Sequence, residues 1–165
     1  MARDADHWRA WLAQHGAALL LFARQWSTSK ADAEDAVQSG FLKFWQTRER
    51  ARDEVAYLYS CVRSAAIDQS RSDQSRTRRE QLSPPHEHSD FDLPIENADR
   101  TRAIETALRD LPADQREVIV MRIWGNLTFQ QISSALDIPL QTAASRYRYA
   151  IKRLEIDLAR EVGHG

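Results

Sequence analysis

The chain has 165 residues, 42% of them hydrophobic and 28% charged, a balance that supports compact cores and excludes both wholesale disorder and a large enzyme. Its formal net charge of −1 gives no general attraction to polyanions, so any affinity for nucleic acid has to come from charge segregated along the chain. Cys61 is the single cysteine, which excludes an intramolecular disulfide and a cysteine-based zinc site and points to a reducing compartment.

Ala, Leu, Arg, Glu and Gln abound while β-branched runs are nearly absent, so the expected class is all-α. Residues 1–6 are polar and acidic rather than a basic stretch leading into an apolar run, and nothing approaches the roughly 20 apolar residues that span a bilayer. A cytoplasmic address and no membrane insertion are expected.

From Trp8, apolar residues recur as Trp11, Leu12, Leu19, Phe22 and Trp26, keeping one side of a first helix apolar. Ser29 can cap a second helix in which Ala33, Val37, Phe41, Phe44 and Trp45 share a side. Asp32, Glu34 and Asp35 suit its positive N-terminal end, and it should stop near Thr47. Ser39-Gly40 is unusual within it: a mid-helix glycine costs on the order of 1 kcal/mol, so it signals either a kink or a close backbone contact. A charged connector at 48–53 leads to a third helix with Val55, Leu58, Tyr59, Val62 and Ala66 at helical spacing. After Ile67 polar residues take over, and this helix is expected to run on solvated before breaking at Ser83-Pro84-Pro85.

Residues 80–99 carry Glu80, Glu87, Asp90, Asp92, Glu96 and Asp99 with no Lys or Arg, and read as an acidic, irregular linker. Beyond it Ile104, Ala107, Leu108 and Leu111 mark a helix ended by Pro112, and Val118, Ile119, Arg122 and Ile123 mark another ended by Gly125-Asn126. Thr128 followed by Gln131 is a capping-box pattern opening a short helix with Ile132 and Leu136, after which Asp137-Ile138-Pro139 breaks the chain before a long final helix. Short capped helix, brief turn, longer basic helix is the order of a helix-turn-helix. Ala143, Tyr147, Ala150, Ile151 and Leu154 form its inward stripe, and Ile138 should plug the angle between the two helices. Gln141, Thr142, Ser145, Arg148, Tyr149 and Lys152 then turn outward toward a major groove, with Arg146, Arg148, Lys152 and Arg153 attracting phosphates.

This second half resembles region 4 of the sigma-70 family, in Leu111-Pro112-Ala113-Asp114-Gln115-Arg116-Glu117-Val118, in Leu127-Thr128-Phe129-Gln130-Gln131-Ile132, and in Ile138-Pro139 with Thr142 through Arg146. The first half resembles sigma region 2, in Asp32-Ala33-Glu34-Asp35-Ala36-Val37-Gln38, in Phe41-Leu42-Lys43-Phe44-Trp45, and in Ala56-Tyr57-Leu58-Tyr59 with Ala66-Ile67-Asp68. The whole is similar to the small extracytoplasmic-function (ECF) sigma factors. The resemblance implies two small helical domains. Region 2, a bundle of three to four helices, would occupy residues 1–79, and the region 4 helix-turn-helix residues 100–165, joined by the linker at 80–99.

By that resemblance, Gln141, Thr142, Ala144, Ser145, Arg146, Arg148, Tyr149 and Lys152 read the upstream (−35) promoter element in duplex form. Arg63, Ser64, Asp68, Arg71, Arg76, Arg78 and Arg79, with the loop at 47–53, would hold the melted downstream (−10) element in a positive groove. Asp35, Gln38, Phe41, Lys43 and Trp45 would dock on the clamp helices of core RNA polymerase, Phe44 being the expected core member of that aromatic group. The implied partners are core polymerase, through its clamp helices and flap, promoter DNA, duplex and melted, and an anti-sigma factor. Gln131 stands where the family often has Glu, Ala144 where a basic or polar residue is common, and Ser64 where relatives often carry Asn.

The expected function is therefore promoter-directed transcription initiation. One rival is a stand-alone helix-turn-helix regulator, which requires a dimer surface. The other is a degenerate sigma acting only as an interaction protein, suggested by Ser39-Gly40, Ser64 and Ala144. No Gly-rich phosphate loop, nucleophile elbow or HExxH motif is present, and His86-Glu87-His88 sits in an irregular Pro-flanked stretch without further ligands. No cofactor, no metal and no enzyme activity are expected.

Overall fold

The computed structural model describes residues 2–79 and 98–163, with side chains described for 6–7, 9–73 and 103–163. Of the linker expected at 80–99, residues 80–97, with the His86-Glu87-His88 motif, lie outside the described residues, while its last two, Ala98 and Asp99, are helical rather than irregular. The order is α1 (Ala2–Arg24), α2 (Lys30–Thr47), a single 3-10 turn (Arg48–Arg50), α3 (Glu54–Arg79), α4 (Ala98–Asp110), α5 (Ala113–Ile123), α6 (Phe129–Leu136) and α7 (Leu140–Gly163), with no strand among the described residues.

Local chemistry sets most of these ends. The Ser29 side chain accepts from the Asp32 amide at 3.1 Å and so caps α2. Asp53 does the same for α3, accepting from the Ala56 amide at 3.0 Å. Thr128 and Gln131 close a reciprocal box at the start of α6, with contacts of 3.1 and 2.9 Å. α1 begins earlier than the apolar pattern indicates and ends at Arg24, so Trp26 lies just past it, set edge-on against Phe22 at 5.1 Å. α3 continues through its polar second half as far as Arg79.

α5 ends just before Gly125-Asn126, as expected, and the two residues divide the work. Asn126 takes the left-handed turn, with φ of 56°, and no glycine among the described residues has a positive φ. Gly125 is buried because its neighbours come too close for a side chain: a Cβ there would lie 2.6 Å from the Met121 carbonyl oxygen and 2.7 Å from the Tyr59 hydroxyl. Gly40 follows the same logic. α2 is helical without interruption through it, and a Cβ would meet the Val62 Cα at 2.5 Å, so the residue allows α2 and α3 to pack backbone to backbone.

In the N-terminal module α1 and α3 both pack on α2 and on each other, burying Leu19, Phe22, Phe44, Leu58, Tyr59 and Val62 completely. In the C-terminal module α7 packs against α4, α5 and α6 around Leu108, Val118, Ile119, Met121, Ile132, Ala143 and Ala150. The modules do not stand apart. α5 lies on α1 and α6 lies on α3, and the buried apolar cluster is continuous from one module to the other. Burial of this kind contributes about 25 cal/mol per Å² of apolar surface removed from water, which is why short helices of modest propensity hold their positions.

Candidate nucleic-acid interface

The turn between α6 and α7 fixes the first face. Asp137 adopts a left-handed conformation with φ of 53°, Ile138 donates its amide to the Ser133 carbonyl at 3.1 Å, and the Ser133 hydroxyl donates to the Ile138 carbonyl at 2.5 Å. Ile138 is half-buried against the core, as its expected plugging role requires, and Ala143, Tyr147, Ala150, Ile151 and Leu154 pack inward. Gln141, Arg148, Tyr149 and Lys152 are exposed, while Thr142, Ala144 and Ser145 are half-buried. Gln141, Ala144, Ser145 and Arg148 line an open groove with Phe129 and Tyr147, and the Arg148 guanidinium donates to the Ser145 hydroxyl at 3.2 Å. Two aromatic rings, Phe129 and Tyr147, meet edge-on at 5.4 Å and stiffen its floor.

Arg146 is not part of that grouping. Its guanidinium turns toward α5 and pairs with Asp114 at 3.6 Å. Sequence spacing alone placed it among the outward cations; its half-buried position beside an acid at the start of α5 separates it from Arg148 and Lys152.

The second face lies on α3. Ser64, Asp68 and Arg71 form one exposed strip at helical spacing. Arg63 lies off that strip, stacked 5.7 Å from the Trp26 ring with its Nε donating to Glu117 Oε2 at 2.9 Å. The backbone of Arg76, Arg78 and Arg79 belongs to α3, but their side chains lie outside the described residues. The connector at 48–53 is pinned at both ends: Thr47 and Tyr57 share a hydroxyl hydrogen bond of 2.5 Å, Arg48 stacks 3.8 Å over Trp45 and donates to its carbonyl, and Asp53 caps α3. Asp53 also accepts from Gln131 Nε2 of α6, at 3.2 and 3.4 Å to its two oxygens.

The third face is on α2. Asp35, Gln38 and Lys43 are exposed, whereas Phe41 and Trp45 are half-buried and contact one another with ring centres 6.4 Å apart. Phe44 is fully buried, stacked near Trp11 at 6.2 Å. Leu42, which the apolar stripe of α2 does not include, is 61% exposed and falls on the same side as Asp35 and Gln38. A large apolar residue interrupting a polar stripe was the available signal for it.

Glu117 is the electrostatic anomaly between the first two faces. It is nearly buried, and burial pushes its carboxyl above the usual range, against the hydrogen bond and charge of Arg63 and the charge of Arg146; nearby Asp114 raises it further. Sequence reading did not foresee the pairing of Glu117 with Arg63 or of Gln131 with Asp53, because in each the two partners lie in different modules.

Comparison with known proteins supplies the context. The family model described as sigma-70 region 2 matches residues 11–77, and that described as sigma-70 region 4 matches residues 101–154. The chain is 32% identical to an ECF RNA polymerase sigma factor, SigL, of Mycobacterium tuberculosis, over 95% of this chain and 92% of that protein. It is 29% identical to the ECF sigma factor RpoE of Cereibacter sphaeroides, over 75% of this chain and 71% of the relative. In fold it is similar to the sigma factor RpoE of Bartonella quintana, solved in complex with the anti-sigma factor NepR, with a TM-score of 0.74 at 22% identity, covering 93% of this chain and 97% of that one.

Proposed function

The chain belongs to the extracytoplasmic-function branch of the sigma-70 family, and on that premise we propose how its three faces divide the work of transcription initiation. As a sigma factor it binds core RNA polymerase and directs promoter-specific initiation. In this reading Asp35, Gln38, Lys43 and the rims of Phe41 and Trp45 on α2 dock on polymerase, with exposed Leu42 as an apolar anchor among them. The strip of Ser64, Asp68 and Arg71, with Arg63 and the loop at 47–53, holds the melted downstream element. Arg76, Arg78 and Arg79 extend the positive charge along α3. Gln141, Thr142, Ala144, Ser145, Arg148, Tyr149 and Lys152 meet the upstream duplex, with Arg146 positioned by Asp114 at the edge of that surface.

The observation that carries this reading is the capped α6, its left-handed turn and the exposed Gln141 to Lys152 face of α7, standing behind a region 2 bundle in one chain. The proposed domain limits are 1–79 for region 2, 80–99 for the linker, whose last two residues already belong to α4, and 100–165 for region 4. Among the described residues no helix is long and apolar enough to cross a membrane, which fits a cytoplasmic site of action. Recognition alone, without catalysis by this chain, accounts for every face. An anti-sigma factor is included as a partner on the precedent of the Bartonella complex.

Run-off transcription with reconstituted core polymerase tests the reading. Promoter-dependent transcripts from the wild-type chain are expected, with Leu42→Asp losing polymerase binding and Arg148→Ala losing upstream-element affinity by about 1–3 kcal/mol. A wild-type chain that neither binds core polymerase nor supports any specific transcript would refute it.

A further inference from the structure

The groove between α6 and α7 has an apolar floor on the side assigned to the upstream duplex. Ala144 lies at its middle, with the Phe129 and Tyr147 rings beneath. Those rings meet edge-on at 5.4 Å, and the Arg122 guanidinium, which donates to the Leu127 carbonyl at 2.8 Å, lies 4.9 Å over Phe129. The floor is therefore held in place before anything binds. Leu140, the first residue of α7, stands one turn before Ala144 on the same side and is 53% exposed. Gln141, Ser145 and Arg148 rim the recess with hydrogen-bonding groups and positive charge. We propose that this recess receives the C5-methyl group of a thymine in the upstream element, with Leu140 and Ala144 as the residues that select thymine there. The proposal rests on the assignment of α7 to the upstream duplex.

Charge and chemistry choose the occupant. The amide and cationic rim, continued along α7 by exposed Lys152, suits a polyanion rather than an apolar peptide. On the major-groove edge of DNA the thymine methyl is the apolar feature, and side chains such as Ala contact it. Residues at the N-terminal end of a recognition helix are the ones that reach base edges, and Leu140 and Ala144 fall within the first turns of α7. The neighbouring hydroxyl agrees. Ser145 accepts from the Arg148 guanidinium at 3.2 Å, which polarises its own O–H toward donating. Thymine offers the O4 acceptor next to its methyl, where cytosine offers an N4 donor.

The recess also gives a role to a departure noted in the sequence. A basic residue at position 144, common in the family, would reach a phosphate and lay its stem across the floor. Ala144 gives up that contact and leaves the recess open. A contact blind to sequence is thereby exchanged for one that reads it.

Selection from a duplex pool randomised over the upstream element, using the full-length chain alone and with core polymerase, yields the preferred sequence. Each thymine in it is then replaced by deoxyuridine, which removes only the methyl group, and affinity is read by fluorescence anisotropy. For at least one thymine the wild type is expected to bind the deoxyuridine duplex about fourfold more weakly, the effect of one methyl leaving an apolar site. In the Leu140→Ala/Ala144→Ser double variant the same replacement is expected to cost nothing, at unchanged helix content by circular dichroism and an unchanged salt slope, since no cation is lost. Leu140→Ala alone, at an exposed helix end where folding is not at stake, is expected to lose part of the discrimination. A preferred element without thymine, equal affinity for thymine and deoxyuridine duplexes at every position, or full discrimination retained by both variants would overturn the proposal. Methyl discrimination by a chain that ignores polymerase would sink the sigma reading and leave the recess standing. Promoter-dependent transcripts from a wild type blind to the methyl would do the reverse, and binding of no duplex in either form would overturn both.

Discussion

Single residues whose neighbours crowd them show how packing turns small chemical differences into stability. Gly40 and Gly16 are both helical glycines, yet a Cβ at Gly40 would meet the Val62 backbone at 2.5 Å while one at Gly16 would meet nothing within 4 Å. Gly40→Ala is expected to lower the unfolding free energy by about 1–3 kcal/mol through overpacking. Gly16→Ala should instead raise it by about 0.5–1 kcal/mol by reducing the freedom of the unfolded chain. Urea unfolding of both variants checks the contrast.

Glu117 gives a second prediction at this scale. Its carboxyl is raised in the folded protein above the ordinary 4.5, mainly by burial. The folded state thus holds this proton to higher pH than the unfolded chain does. Its contribution to stability is present in full below the ordinary value and is lost as pH rises through the raised one. Relative to Glu117→Gln, the wild type should lose stability across that window as pH increases. Parallel urea midpoints for the two proteins from acid to neutral pH would contradict the assignment of burial as the dominant cause.

At the scale of elements, α6 and α7 work as a unit because the cap and the turn fix their angle before any DNA is present. Thr128→Ala removes the acceptor for the Gln131 amide and is expected to cost about 1 kcal/mol, seen as a lower melting temperature. The cations of α7 should divide in a salt titration of upstream-duplex binding. Lys152→Ala is expected to reduce the slope of log affinity against log salt by about 1. Arg146→Ala should change the slope far less, since that guanidinium is already committed to Asp114. Equal slope changes for the two variants would place Arg146 on the DNA after all.

For the whole molecule, the packing of α5 on α1 and of α6 on α3 sets a thermodynamic condition on any separation of the modules. A partner that converts a closed population into an open one, from 1:99 to 99:1, must prefer the open form by about 10⁴-fold. Neither DNA element alone has to supply that preference, because polymerase and two promoter elements engage one chain and their contributions multiply. Fluorescence transfer between labels at exposed Glu34 on α2 and exposed Glu155 on α7 should therefore fall when core polymerase is added to the free chain. Unchanged transfer in an active holoenzyme would mean that the modules work without separating.

Much of this protein was legible in its residues. The helical class, the capping box at Thr128 and Gln131, the turn at Asp137 and the inward stripe of α7 are all set within a few positions of chain, where hydrogen-bond geometry and helical period act directly. The family motifs are local in the same sense. What only the tertiary structure decided involves partners far apart in sequence: Gly40 against Val62, Gly125 against Tyr59, Arg63 with Glu117 and Asp53 with Gln131. Periodicity tells which side of a helix is apolar, but not which helix covers it, and a cation's role depends on the carboxylate that reaches it first. That choice belongs to packing, and packing is settled by the chain as a whole.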